Sequence, residues 1–310
     1  MYKDYSDITT EYENIRQRNS LICDEKKAKI YKEHPDLKEI DKEIMKAFVN
    51  VVKKGSDEKE AKKYEETLSD LRTKRIEYLK KNNIKDDYRE VQYTCKKCRD
   101  TGFVDGKKCS CFIEKEIELY DNISNFKKYI DSDNFSKLNM NYYRQDDMSG
   151  ENSYYKYMEK NILDMKNAIK NIDNTKYNLI LSGNSGTGKT FLARSIGELA
   201  LRQNKSVLYL NVIEYIDSLK RFKPFVILCD LLILDDLGTE YSSEFSKTEL
   251  NYIIGKRIND NKSTILTTNL MKNELEMRYL SPMISRITNV YKNVYLSGAD
   301  LRGIKYAGSK

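Results

Sequence analysis

Residues 183–190 read Gly-Asn-Ser-Gly-Thr-Gly-Lys-Thr, which fills the spacing G-x-x-x-x-G-K-[ST]. The chemistry this permits is the cradling of a phosphate chain. Gly183, Gly186 and Gly188 let the backbone bend close around an anion, and Asn184, Ser185 and Thr187 contribute amides to the same loop. Lys189 supplies a positive point charge, and Thr190 offers a hydroxyl to a divalent cation. A chance glycine-rich turn would require neither a strand before it nor a helix after it. Here an apolar run, 178–182, precedes the loop and an apolar helical pattern, 191–201, follows it. The expected ligand is a nucleoside triphosphate with magnesium.

Two carboxylates can complete such a site. Asp235 and Asp236 close the apolar run that begins at Leu231, where a central strand would deliver an acid to the phosphates. Asp235 is expected in the magnesium shell, and Asp236 is placed to orient or deprotonate an attacking water. An ordinary strand end with solvated acids is the alternative, and the upstream loop argues against it. The next apolar run, 263–268, ends at Asn269, whose amide could reach the γ-phosphate or the water from the far side. Arg286 and Arg302 follow, and composition alone reads each as a surface residue.

A second constellation is built from thiols. Cys95 and Cys98 form a C-x-x-C pair, ten residues intervene, and Cys109 and Cys111 form C-x-C. The intervening Thr101-Gly102 and Asp105-Gly106 are turn formers, so the loop can bring the two pairs to one ion. Zinc is the expected metal, with reduced thiols or an iron–sulfur cluster as alternatives. Four thiolates leave no open coordination position, so the role is structural. Cys23 and Cys229 stand apart and read as small packed residues.

The elements that must carry these residues can be traced from composition and periodicity. A chain of 310 residues favours about two domains. No stretch is apolar enough to span a bilayer, and no basic-then-apolar leader opens the sequence, which points to a cytoplasmic protein with no membrane partner. Residues 1–150 hold 32 Lys and Arg against 31 Asp and Glu, and residues 151–310 hold 23 against 17. The net charge of +7 therefore lies in the second half, a bias that phosphate-backbone binding shares with many proteins that bind no polyanion. Apolar residues at helical spacing predict three N-terminal helices: Ile8, Tyr12, Ile15 and Ile22, then Leu37, Ile40, Ile44, Phe48 and Val51, then Tyr64, Leu68, Leu71 and Tyr78. Their stripes could pack on one another or on another protein. From residue 177 short apolar runs (178–182, 207–212, 231–235, 264–268 and 290–296) alternate with helical stretches, the pattern of a parallel α/β sheet flanked by helices. The expected divisions are a helical partner-binding region over 1–92, a four-cysteine zinc knuckle over 93–115, a linker and approach segment over 116–150, and a nucleotide-binding domain over 151–310.

Between the second and third strands, residues 213–228 read as an additional helix containing Lys220-Arg221-Phe222-Lys223. Cations there could neutralise backbone phosphates while the ring stacks on a base, as single-stranded DNA binding requires. A solvated helix end before Pro224 is the alternative.

With these motifs in order, residues 134–306 resemble a AAA+ ATPase. The wording Asp-Asp-Leu-Gly after the third strand, Thr-Thr-Asn-Leu after the fourth and Gly-x-Asp-x-Arg near the end is similar to DnaC/DnaI-type helicase loaders and their IstB-type relatives. The resemblance implies a AAA+ P-loop sheet, ATP as the nucleotide, Asn269 as first sensor, Arg286 as a finger reaching a neighbour's nucleotide and Arg302 as second sensor. It implies that residues 134–143 border the adenine and that the 213–228 helix lines a DNA channel. It also implies partners: a replicative DNA helicase gripped by the N-terminal region, single-stranded DNA, and further copies of the chain in an ATP-dependent oligomer. IstB-type transposition helpers usually lack a metal-bound N-terminal domain, so the cysteine knuckle favours a loader. The ligand set departs from the better-known loaders, which include a histidine. Two rivals remain, an IstB-type transposition helper and a non-hydrolysing adaptor stabilised by nucleotide, and the intact acidic pair opposes the second.

Overall fold

The computed structural model describes residues 4–54, 58–143, 153–172, 176–298 and 300–301. Two units can be distinguished, Thr9–Cys109 and Ser110–Lys310 with Met1–Ile8. Arg302 and the remainder of the C-terminus lie outside the described residues.

Helices α1 (Tyr5–Glu33), α2 (Pro35–Lys54) and α3 (Glu58–Lys81) come first. Pro35 stands at the first position of α2, where its missing N–H costs nothing, and Asp36 favours the helix N-terminus. Leu37 and Ile40 on α2 and Leu68 on α3 are buried as their spacing predicts. Ile22 and Phe48 depart from the expected stripes: both are exposed, while the buried face of α1 continues through Asn19 and Cys23. A polar network also joins these helices. Buried Asp41 on α2 accepts from Arg75 Nε of α3 at 2.8 Å, from Tyr31 of α1 at 2.7 Å, from Arg89 at 3.1 Å and from Tyr88. A carboxylate buried among this many donors holds its helices in register, and apolar periodicity cannot reveal it.

A short hairpin follows, β1 (Phe103–Val104) and β2 (Lys107–Lys108). Its two turn residues, Asp105 and Gly106, both take positive φ, the mirror-image turn that suits the twist of a hairpin. Helices α4 (Ser110–Ser124) and α5 (Tyr154–Lys170) lead to a larger sheet.

Its elements run β3 (Asn178–Gly183), α6 (Lys189–Arg202), β4 (Val207–Asn211), α7 (Val212–Asp217), α8 (Leu219–Leu228), β5 (Leu231–Leu237), α9 (Glu244–Asn259), β6 (Ser263–Thr268), α10 (Lys272–Arg278), α11 (Ser281–Val290) and β7 (Lys292–Leu296). The five strands are parallel in the order β4-β5-β6-β3-β7, flanked by helices. The additional helix expected over 213–228 is two helices, broken at Ser218. Strand β3 lies between β6 and β7, whereas the chain leaving it crosses to β4 at the far edge. This is a topological switch point, where a crevice opens beyond the strand ends. Helix α6 lies close under the sheet because Gly197 has no side chain; a Cβ there would meet Phe126 at 2.6 Å and Ile233 at 2.9 Å.

Arg257 of α9 is fully buried. Its guanidinium donates to Thr264 Oγ1 (2.9 Å), the Val226 carbonyl (2.6 Å), the Cys229 carbonyl (3.1 Å) and the Ser263 carbonyl (2.5 Å). It thereby ties α9 to the end of α8 and the start of β6. Replacing Arg257 with Met should cost about 3–5 kcal/mol, because several buried carbonyls lose their donor at once. A urea midpoint equal to that of the parent would contradict this role.

Candidate functional site: a phosphate loop facing two aspartates

The loop after β3 turns on glycine. Gly183 has φ +141°, and a Cβ there would lie 2.0 Å from the Leu296 carbonyl oxygen of β7. Gly188, at φ +94°, caps the start of α6. Lys189, nearly buried, donates through Nζ to the Gly183 carbonyl at 2.8 Å and the Asn184 carbonyl at 2.6 Å. Thr187 closes the loop by donating to the Asn184 carbonyl at 2.8 Å. The cation and the amide end of α6 thus share one concave surface, which suits an anion.

This surface forms one wall of a cavity of about 660 Å³, a size typical of cofactor sites. Ser185, Gly186, Gly188, Lys189 and Thr190 line one side, Asp236 and Asn269 approach from the ends of β5 and β6, and Leu138, Asn139, Tyr142 and Tyr143 form the opposite wall. Part of the approach segment 134–143 therefore borders the cavity. Leu301 also lines it, its N–H donating to the Gly186 carbonyl at 3.0 Å.

The two acids differ in their surroundings. Asp235 is 3% exposed and accepts three hydroxyls: Thr190 at 3.1 Å and Thr267 at 2.5 Å on Oδ1, and Tyr209 at 2.5 Å on Oδ2. Asp236 lies in a register shift between β5 and β6, at φ +61°. That irregularity turns its side chain toward the cavity instead of the next layer of the sheet. The Thr190 hydroxyl and the Asp235 carboxylate meet beside the phosphate loop, a donor set that fits magnesium next to a triphosphate.

The remaining residues named from sequence are more scattered. Arg286 on α11 donates to Asn251 Oδ1 at 2.6 Å and does not line this cavity. The expectation that Phe222 stacks on a base is overturned, because its ring is 1% exposed and belongs to the core. Lys223 pairs with Glu249 at 2.9 Å, leaving Lys220 and Arg221 as the exposed cations of that segment. Helical periodicity contained the missing signal, since Phe222 falls in step with the buried Phe225 and Val226. Tyr209, which holds Asp235, carries no motif and was not singled out from sequence; Thr267, which also holds it, belongs to the Thr-Thr-Asn-Leu motif, but its contact with Asp235 was not foreseen.

The cysteines of the second constellation meet. The sulfurs of Cys95, Cys98, Cys109 and Cys111 all lie within 4.8 Å of one another, with 3.9 Å between those of Cys95 and Cys109. Tetrahedral zinc with bonds near 2.3 Å would set its sulfurs about 3.8 Å apart, so the cluster fits that ion. Asp100, buried and at φ +57°, accepts the N–H groups of Thr94 (2.9 Å) and Cys95 (2.6 Å) and the Asn19 amide (2.9 Å), which fixes the turn.

Residues 136–285 match the family described as IstB-like ATP binding protein. This part of the chain is thus similar to IstB-like ATP binding proteins. The chain is 28% identical over 124 residues to the replicative helicase loader DnaC of Buchnera aphidicola subsp. Baizongia pistaciae, a match covering 36% of this chain and 50% of that protein. It is 35% identical over 104 residues to the insertion sequence IS1162 putative ATP-binding protein of Pseudomonas fluorescens, covering 31% and 45%. The chain thus spans about half the length of the curated relatives it matches. Among solved structures, the crystal structure of the DnaI has a TM-score of 0.43 at 20% identity, covering 56% of this chain and 92% of that one.

Elemental analysis of the purified protein should return about one zinc per chain, and Cys98→Ser should lose most of it, since three thiolates hold the ion far less well. Full zinc content in that variant would place the metal elsewhere.

Proposed function

We propose that the chain is an ATP-dependent loader that delivers a replicative DNA helicase to single-stranded DNA. The observation that carries this reading is the convergence of Lys189, Thr190 and Asp236 on one cavity, with buried Asp235 bonded to Thr190 behind its wall, in a chain that also has a helical unit and a four-cysteine cluster. The curated relatives named as helicase loaders support it.

In this reading Lys189 leaves the loop carbonyls to meet the β- and γ-phosphates, and the amide end of α6 receives the remaining charge. Thr190 and Asp235 would hold magnesium, whose charge would offset that of the phosphates. Asp236, turned into the cavity, orients the attacking water and accepts its proton, and Asn269 steadies the same water from β6. Arg286 reaches the nucleotide of an adjacent copy, so the contact between copies depends on an intact γ-phosphate and is released on hydrolysis. Residues 1–92 grip the helicase, the cysteine cluster with bound zinc braces that region, and the exposed Lys220 and Arg221 contribute to the path of the DNA backbone.

An IstB-type transposition helper is the second reading, favoured by the family match and by the insertion-sequence relative. It uses the same cavity but answers to a transposase.

Lys189→Ala should abolish measurable ATP turnover, a loss of at least about 100-fold; unchanged turnover would sink the nucleotide assignment. A pull-down of the tagged chain from its own cells should retain the replicative helicase, more strongly with ATP than without. Retention of a transposase and no helicase would decide for the second reading.

A further inference from the structure

Tyr209 lies in the middle of β4, outside the motifs that mark the nucleotide site, yet its hydroxyl donates to Asp235 Oδ2 at 2.5 Å. The Tyr209 hydroxyl oxygen in turn accepts from Arg194 Nη2 at 2.6 Å, and Arg194 Nη1 donates to Asp133 Oδ2 at 3.0 Å. The guanidinium carbon sits 3.6 Å from the centre of the Tyr129 ring and 4.7 Å from that of Tyr209. Phe126 stacks on Tyr209 with 5.9 Å between centroids. Asp133 directly follows Ser132, which lines the nucleotide cavity. One continuous set of contacts therefore joins the cavity wall at 132–133 to the acid at the tip of β5.

We infer that Tyr209 and Arg194 are positioning residues that fix the Asp235 carboxylate for a divalent cation and couple its orientation to the cavity wall at Ser132–Asp133. This rests on the ATP-binding reading above. Thr190 and Thr267 hold only Oδ1, and a carboxylate held at one oxygen can rotate about its Cβ–Cγ bond. Tyr209 holds the other oxygen and removes that freedom. Burial, and after it the charge of Asp235, push the Tyr209 hydroxyl well above the ordinary tyrosine range, so it remains the donor. Arg194 strengthens the bond by polarising the phenol, and Asp133 balances the guanidinium charge. If Tyr209 served packing alone, its ring would matter and its hydroxyl would not.

The test compares the full-length parent with Tyr209→Phe, Arg194→Gln and the double variant. Each is titrated with Mn2+ in the presence of a non-hydrolysable ATP analogue, with free Mn2+ read by electron paramagnetic resonance. Nucleotide affinity without metal is measured with a fluorescent analogue in EDTA. Half-saturating Mn2+ should rise about tenfold in Tyr209→Phe, as expected for losing a hydrogen bond to a charged group. Arg194→Gln should shift it in the same direction. The double variant should fall within about twofold of Tyr209→Phe, because the two residues act in series. Metal-free affinity should stay within about twofold of the parent. Unchanged Mn2+ affinity in Tyr209→Phe, additive effects in the double variant, or an equal loss of metal-free affinity would each overturn the inference. A parent that binds no nucleotide would overturn the underlying ATP reading as well. Should Tyr209→Phe fail to fold, Arg194→Gln, altered at a partly exposed side chain, decides by the same criteria.

Discussion

In the proposed reading two carboxylates must stand beside a triphosphate tail without repelling it, and this electrostatic constraint organises the second unit. Lys189 and the amide end of α6 supply compensating charge, and a divalent cation held by Thr190 and Asp235 would add to it. Each component comes from a different strand end: the loop with Lys189 and Thr190 from β3, the acids from β5, Asn269 from β6. A parallel sheet with β3 between β6 and β7 brings those ends to one crevice. The fold is therefore the means of concentrating charge of both signs where water alone would hold it apart.

The environments of the two acids divide their tasks. Asp235 is sealed beneath three hydroxyls, a setting that favours a fixed ligand over a proton carrier. Asp236 is tipped into the cavity by a backbone irregularity, where the proposed mechanism puts the attacking water. Adjacent residues on a regular strand would face opposite sides of the sheet. The register shift is what allows both to serve one site.

Much of this was legible in the chain itself, for reasons that differ by element. The phosphate loop was readable because positive φ at Gly183, Gly186 and Gly188 leaves few alternatives to glycine, and the strands because buried parallel strands are nearly continuous apolar runs. The cysteine cluster was readable because metal coordination constrains spacing. What escaped notice was polar and buried. Asn19, Asp41 and Arg75 occupy core positions in the helical unit, and Tyr209 supports Asp235, yet none leaves a periodic or motif signature. Phe222 was misplaced in the opposite sense, as the sequence places it among cations while three-dimensional packing takes its ring into the core. Adjacency in sequence reports charge well and side-chain direction poorly.

The most direct measurement is a crystal structure of the full chain grown with magnesium and a non-hydrolysable ATP analogue. The triphosphate should lie among the amides of residues 183–190 with Lys189 Nζ on its β- and γ-phosphates, magnesium against Thr190 and Asp235, and the base beside Leu138 and Tyr143. A nucleotide bound elsewhere, or a loop left empty at saturating analogue, would contradict the account at its centre.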